Sequence, residues 1–116
     1  MVKRKNELKE AVTENMRGGN GSVIINHLTD AEGLNNKGRL YARMILKPGC
    51  SIGYHEHNGE LEIYYILKGR AVYDDNGEGN ILLNAGDVTF TLSGQGHGIA
   101  NESGEDTELM ALIVFD

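Results

Sequence analysis

The chain has 116 residues, 40% of them apolar, which is enough for one hydrophobic core and too short for two. Its formal net charge is −6, and its basic residues cluster only at Lys3, Arg4 and Lys5, so no continuous electropositive face is available to nucleic acid. Wholesale disorder is excluded by the apolar content, and no apolar run approaches the roughly 20 residues of a membrane-spanning helix.

The opening "MVKRKNELKE" is basic but is followed by no apolar stretch, unlike a secretory signal, so a cytoplasmic location is expected. From Asn6 to Met16 good helix formers precede Gly18 and Gly19, which predicts a short helix or a terminal arm over residues 1–20. Beyond it, "SVIINHL" and "RLYARMILK" (Arg39 to Lys47) read as strands. Further strands are expected at Glu60 to Leu67, Arg70 to Tyr73, Asn80 to Leu83, Asp87 to Leu92, His97 to Asn101 and Leu109 to Phe115.

Sixteen glycines against one proline predict many tight turns, and "DDNGEGN" from Asp74 to Asn80 reads as a hairpin loop. Many short strands with frequent turns predict an all-β barrel or sandwich over residues 21–116, in one domain with the arm. Cys50 is the only cysteine, so no internal disulfide forms, and a small buried residue is its expected role.

Two of the four histidines, His55 and His57, stand one residue apart in "GYHEHNGELEIYY". Side chains alternate along a strand, so the two face the same way if the segment is extended. The same parity groups Glu60, Glu62, Tyr64 and Ile66 on one face, with Leu61, Ile63, Tyr65 and Leu67 on the other. Burying the carboxylates without partners would cost several kcal/mol, whereas a divalent cation among them removes the conflict. Spacing alone leaves a solvent-exposed histidine pair as the commoner alternative.

The wider spacing resembles the two motifs of the cupin family. For the first, Gly49 is followed by "CSIGY", His55, Glu56, His57, "NGEL", Glu62, "IYYILK" and Gly69, which fills every position. For the second, Gly86 precedes "DVTFT", Leu92, Ser93, Gly94, "QG", His97, "GIA" and Asn101, with Leu92 standing where the family has proline. The resemblance implies a double-stranded β-helix, a jelly-roll barrel. It also implies His55, His57, Glu62 and His97 as ligands of one divalent transition metal ion (Fe, Mn, Ni, Co or Zn), with no organic cofactor. Glu60 is the rival carboxylate, and His27, outside both motifs, reads as a surface or core histidine.

Similar cupins include dioxygenases, decarboxylases, isomerases and lyases, so the resemblance implies a metal-dependent enzyme on a small polar or anionic metabolite. A non-catalytic sugar- or organic-acid-binding module is the alternative. Tyr64, in phase with Glu62, is the candidate acid. Arg43, Tyr54, Phe90, Gln95 and Met110 are candidate substrate contacts, each with packing, turn or solvent roles as the competing reading. Oxalate decarboxylases, the nearest comparison, carry an arginine shortly before the histidine pair where this chain has "CSIGY". Small cupins commonly pair, and the row Leu61, Ile63, Tyr65 and Leu67 is the expected homodimer contact.

Overall fold

The computed structural model describes residues 1–116. Ten strands form two antiparallel sheets: β1 (Lys9–Glu14), β2 (Ser22–Thr29), β3 (Gly38–Leu46), β4 (Ser51–Glu56), β5 (Glu60–Lys68), β6 (Arg70–Asp75), β7 (Asn80–Asn84), β8 (Val88–Thr91), β9 (Gly96–Ala100) and β10 (Thr107–Phe115). One sheet has the order β1-β2-β3-β10-β5-β8, the other β4-β9-β6-β7. The expected jelly-roll barrel is the fold. No helix is long and apolar enough to cross a membrane.

Alternation sorts the strands into inner and outer rows. On β5, Glu62, Tyr64 and Ile66 are buried, while Tyr65 and Leu67 are exposed. On β3, Ala42, Met44 and Leu46 face inward, which turns Tyr41, Arg43 and Ile45 outward. The inner rows of both sheets meet in one core that includes Val23, Ile25, Met44, Leu46, Ile52, Ile66, Ile99 and Leu109.

The N-terminal segment departs from the helical expectation. Lys9–Glu14 is a strand, paired from Lys9↔His27 to Glu14↔Ser22 on the edge of the larger sheet, and only three-residue 3-10 turns stand at Lys5–Glu7 and Met16–Gly18. An isolated helix of that length is marginal in water, whereas the edge of β2 offers unpaired backbone donors and acceptors that a new strand satisfies. Tertiary pairing therefore overrides local propensity.

The turns account for several motif positions. Gly69 joins β5 to β6 at φ +80, and a β-carbon there would lie 2.5 Å from the Asp106 carbonyl oxygen. Asn101 is fully buried, donating to the carbonyls of Leu46 at 2.8 Å and Glu105 at 2.6 Å while its Oδ1 accepts from Ser103. It ties the loop after β9 to the end of β3, a structural role. The expected hairpin loop joins β6 to β7, with the Gly77 N–H donating to Asp74 Oδ1 at 2.9 Å.

Candidate metal centre

Four polar side chains converge inside the barrel: His55 from β4, His57 just beyond it, Glu62 from β5 and His97 from β9. His55 reaches this point through an irregularity. Ile52 pairs with Ile99 and His55 with His97, so three residues on β4 span two on β9 and the strand bulges at Gly53 and Tyr54. Without the bulge, Ile52 and His55 would face opposite sides. With it, Ile52 is in the core, His55 turns toward the cluster and Tyr54 is exposed. His57 is fixed by its backbone, its N–H donating to the Gln95 carbonyl at 3.0 Å and its carbonyl accepting from Gly94 at 2.7 Å.

Each imidazole is oriented through Nδ1. His55 Nδ1 donates to the Gly53 carbonyl at 2.8 Å, and His57 Nδ1 donates to Glu60 Oε2 at 2.7 Å. His97 Nδ1 lies 2.9 Å from the Tyr73 hydroxyl and 2.8 Å from Thr91 Oγ1. The acceptors beside His55 and His57 require the proton on Nδ1 in the neutral ring, so their Nε2 lone pairs face the cluster.

The inward donors lie close together. Glu62 Oε1 is 3.0 Å from His97 Nε2, 3.1 Å from His57 Nε2 and 3.9 Å from His55 Nε2, and the two nitrogens of His57 and His97 are 3.2 Å apart. All four donor atoms fall within 4.8 Å of one another. An octahedral ion with bonds of about 2.1 Å sets neighbouring donors about 3.0 Å apart, so the cluster fits one divalent transition ion. Lone pairs and a carboxylate aimed at one point repel unless a cation or a proton stands between them.

Electrostatics favour the ligand forms of Glu62 and His97. Hydrogen bonding to Glu62, only partly offset by burial, raises His57, so an ion entering the site would compete with a proton there. Burial pushes the Glu62 carboxyl up, but the three imidazoles packed around it outweigh that and hold the group below the usual carboxylate range. Burial lowers His97, which keeps its ring neutral, as coordination requires. Glu60, hydrogen-bonded first by Arg39, is held down at about 2 despite partial burial and so stays anionic beside His57.

A cavity of about 190 Å³ opens onto the cluster, lined by His55, His57 and Glu62 together with Tyr64, Met16, Arg17, His27 and Arg39. Tyr64 is in this wall, its ring stacked on His97 at 4.8 Å and 16°. Burial raises its hydroxyl well above the usual range, so it is a neutral donor and a reluctant acid.

The other expected contacts do not line the cavity. Arg43 points outward and pairs with Glu108. Tyr54 is turned out by the bulge, and Phe90 and Met110 lie on the outer face of the larger sheet. Gln95 closes its own turn, its Oε1 accepting from the Leu92 N–H at 3.0 Å. Proline at Leu92 could not make that bond, so the chain's departure from the family motif comes with its own turn closure.

Sequence reasoning missed Met16, Arg17 and Arg39, and it set His27 aside as a surface or core residue, whereas the structure places His27 in the cavity wall. Parity with the buried Val23 and Ile25 on β2 carried that signal. Arg17 lies in a 3-10 turn, where no periodicity operates.

Residues 42–115 match the family model described as "Cupin domain". A Thermotoga maritima protein described as "Oxalate-binding protein" is 49% identical over 115 residues, covering 99% of this chain and 94% of that protein. A crystal structure of a "predicted oxalate decarboxylase" from Thermotoga maritima superposes with a TM-score of 0.94 at 48% identity, covering all of both chains. A Klebsiella pneumoniae protein with a double-stranded β-helix domain shares the fold at a TM-score of 0.70 and 22% identity, covering 85% of this chain and 82% of that one. With the family model matching well over half its length, the chain belongs to the cupin domain family.

Proposed function

We propose that the protein binds one divalent transition metal ion through His55, His57, Glu62 and His97 and acts with it on a small carboxylate-bearing metabolite, oxalate being the first candidate. The observation that carries this reading is the convergence of three imidazoles and one carboxylate, all within 4.8 Å, on a cavity of about 190 Å³. That volume is below the roughly 300–1,000 Å³ of drug-sized pockets, which suits a small metabolite. Oxalate enters from the 49% identical relative, whose description names it.

When bound, such an ion supplies Lewis acidity and open positions for an oxygen-bearing ligand. The chain's own residues orient and enclose. Glu60 and the Gly53 carbonyl fix the tautomers of His57 and His55, Tyr64 offers a neutral hydroxyl to the cavity, and the apolar walls of Met16, Ile25, Leu40 and Met44 limit water.

Capture without turnover is the second reading, favoured by the relative's description as a binding protein. Elemental mass spectrometry of protein purified without chelators tests the metal, with about one ion per chain expected. Calorimetry with oxalate tests the ligand, and NMR detection of formate from loaded protein and oxalate separates turnover from capture.

A cytoplasmic homodimer completes the reading. Cross-strand register aligns Phe90, Ile63 and Leu112, and beside them Val88, Tyr65 and Met110, as two apolar rows on the outer face of the larger sheet. Tyr65, Val88 and Phe90 are each more than two-fifths exposed, and a second copy would cover them.

A further inference from the structure

We propose that Arg17 is the anion-recognising residue of this site and that its ligand is a small dianion, held by the ion at one end and by the Arg17 guanidinium at the other. The inference rests on the metal-and-carboxylate reading above and extends it to a residue outside both family motifs.

Three observations support it. Arg17 lines the same cavity as His55, His57 and Glu62. The cavity's other arginine is occupied, because Arg39 donates from Nε and an Nη to both oxygens of Glu60 at 2.8 Å, whereas Arg17 is exposed and forms no ion pair. A divalent ion with Glu62 carries one net positive charge and Arg17 adds a second, which matches a ligand bearing two carboxylates. A guanidinium suits that task because its planar fork grips a carboxylate at two points.

The backbone supplies the third observation. Arg17 sits at φ 55, ψ 31, a left-handed conformation that glycine adopts freely and a side chain with a β-carbon resists. Residues 15–21 form a strap pinned to the ligand strand β4. The Asn15 N–H donates to the Gly21 carbonyl at 2.8 Å, the Ser51 N–H to the Asn20 carbonyl at 2.9 Å, and the Asn20 N–H to Ser51 Oγ at 2.8 Å. The Arg17 carbonyl lies so close to Gly53 that a β-carbon there would be 2.1 Å from it. A strap that only needed to turn would be better served by glycine or asparagine at position 17, so an arginine held in this conformation at the cavity wall points to a use for its side chain.

The test compares wild type, Arg17→Gln and Arg17→Gly, each loaded with one equivalent of Mn(II), by calorimetric titration with oxalate and with acetate. Both variants are expected to keep wild-type metal content and to lose about tenfold or more in oxalate affinity, with acetate affinity changed less than about threefold. Arg17→Gly is also expected to unfold at a temperature no lower than wild type, because glycine relieves the left-handed residue; a purely structural role predicts a fall. Oxalate binding retained by Arg17→Gln, or an equal loss for both anions, overturns the assignment of Arg17 while leaving the metal-and-carboxylate reading in place. Wild-type protein that loads Mn(II) and binds neither anion overturns both.

Discussion

His57 Nδ1 and Glu60 Oε2 are 2.7 Å apart, and the same carboxylate is gripped through both oxygens by Arg39 at 2.8 Å. Glu60, the rival to Glu62 as a ligand, thus stands one step behind the cluster and orients one of its imidazoles. Removing such a partner typically costs 10- to 100-fold in metal affinity. Glu60→Gln is expected to weaken metal binding within about that range and Glu62→Gln to weaken it more, measured by competition with a chromogenic chelator. The reverse order would exchange the two carboxylates' roles.

His97→Ala removes a fully buried donor that Tyr73 and Thr91 orient. Metal content after purification is expected to fall from about one ion per chain to less than about a tenth, with the far-ultraviolet circular dichroism of the barrel retained. Unchanged metal content in elemental mass spectrometry would remove His97 from the site.

Gln95 closes a turn instead of facing the cavity. Gln95→Ala should therefore cost the worth of one hydrogen bond, about 0.5–1.5 kcal/mol in urea denaturation, and leave oxalate affinity within about twofold. A large loss of affinity at unchanged stability would return it to the list of ligand contacts.

Gly53 is at the bulge that turns His55 inward, and a β-carbon there would lie 2.1 Å from the Arg17 carbonyl. Gly53→Ala is expected to destabilise the fold by about 1–3 kcal/mol and to loosen the strap, visible as faster amide exchange over residues 15–21. Exchange at the wild-type rate would show that the strap does not depend on this approach.

The outer rows on β5, β8 and β10 supply the last prediction. Tyr65→Glu, at an exposed position between Val88 and Met110, is expected to shift sedimentation at micromolar concentration from dimer to monomer with metal content unchanged. Wild-type protein that sediments as a monomer would reject the dimer.

How much was legible in the sequence follows from which forces are local. The resemblance to the cupin motifs marked His55, His57, Glu62 and His97, and two-residue alternation placed Glu62, Tyr64 and Ile66 on one buried face, because side-chain direction in a regular strand depends only on residue count. Alternation also carried, unread, the inward direction of His27. It stopped at Gly53, where the bulge reverses the count between Ile52 and His55.

The all-β class was therefore determined by patterns confined to single strands and turns, and the two-motif barrel and the four converging donors by a motif spacing from Gly49 to Asn101 that resembles the cupin family's. Only the tertiary structure decided that Lys9–Glu14 is an edge strand and not a helix, that Arg43, Tyr54, Phe90 and Met110 face away from the cavity, and that Arg17 and Arg39 line it. Those outcomes depend on which backbone lies alongside which. Sheet pairing, a bulge set by a neighbouring strap and an ion pair between residues 21 positions apart leave no periodic trace in the chain that makes them.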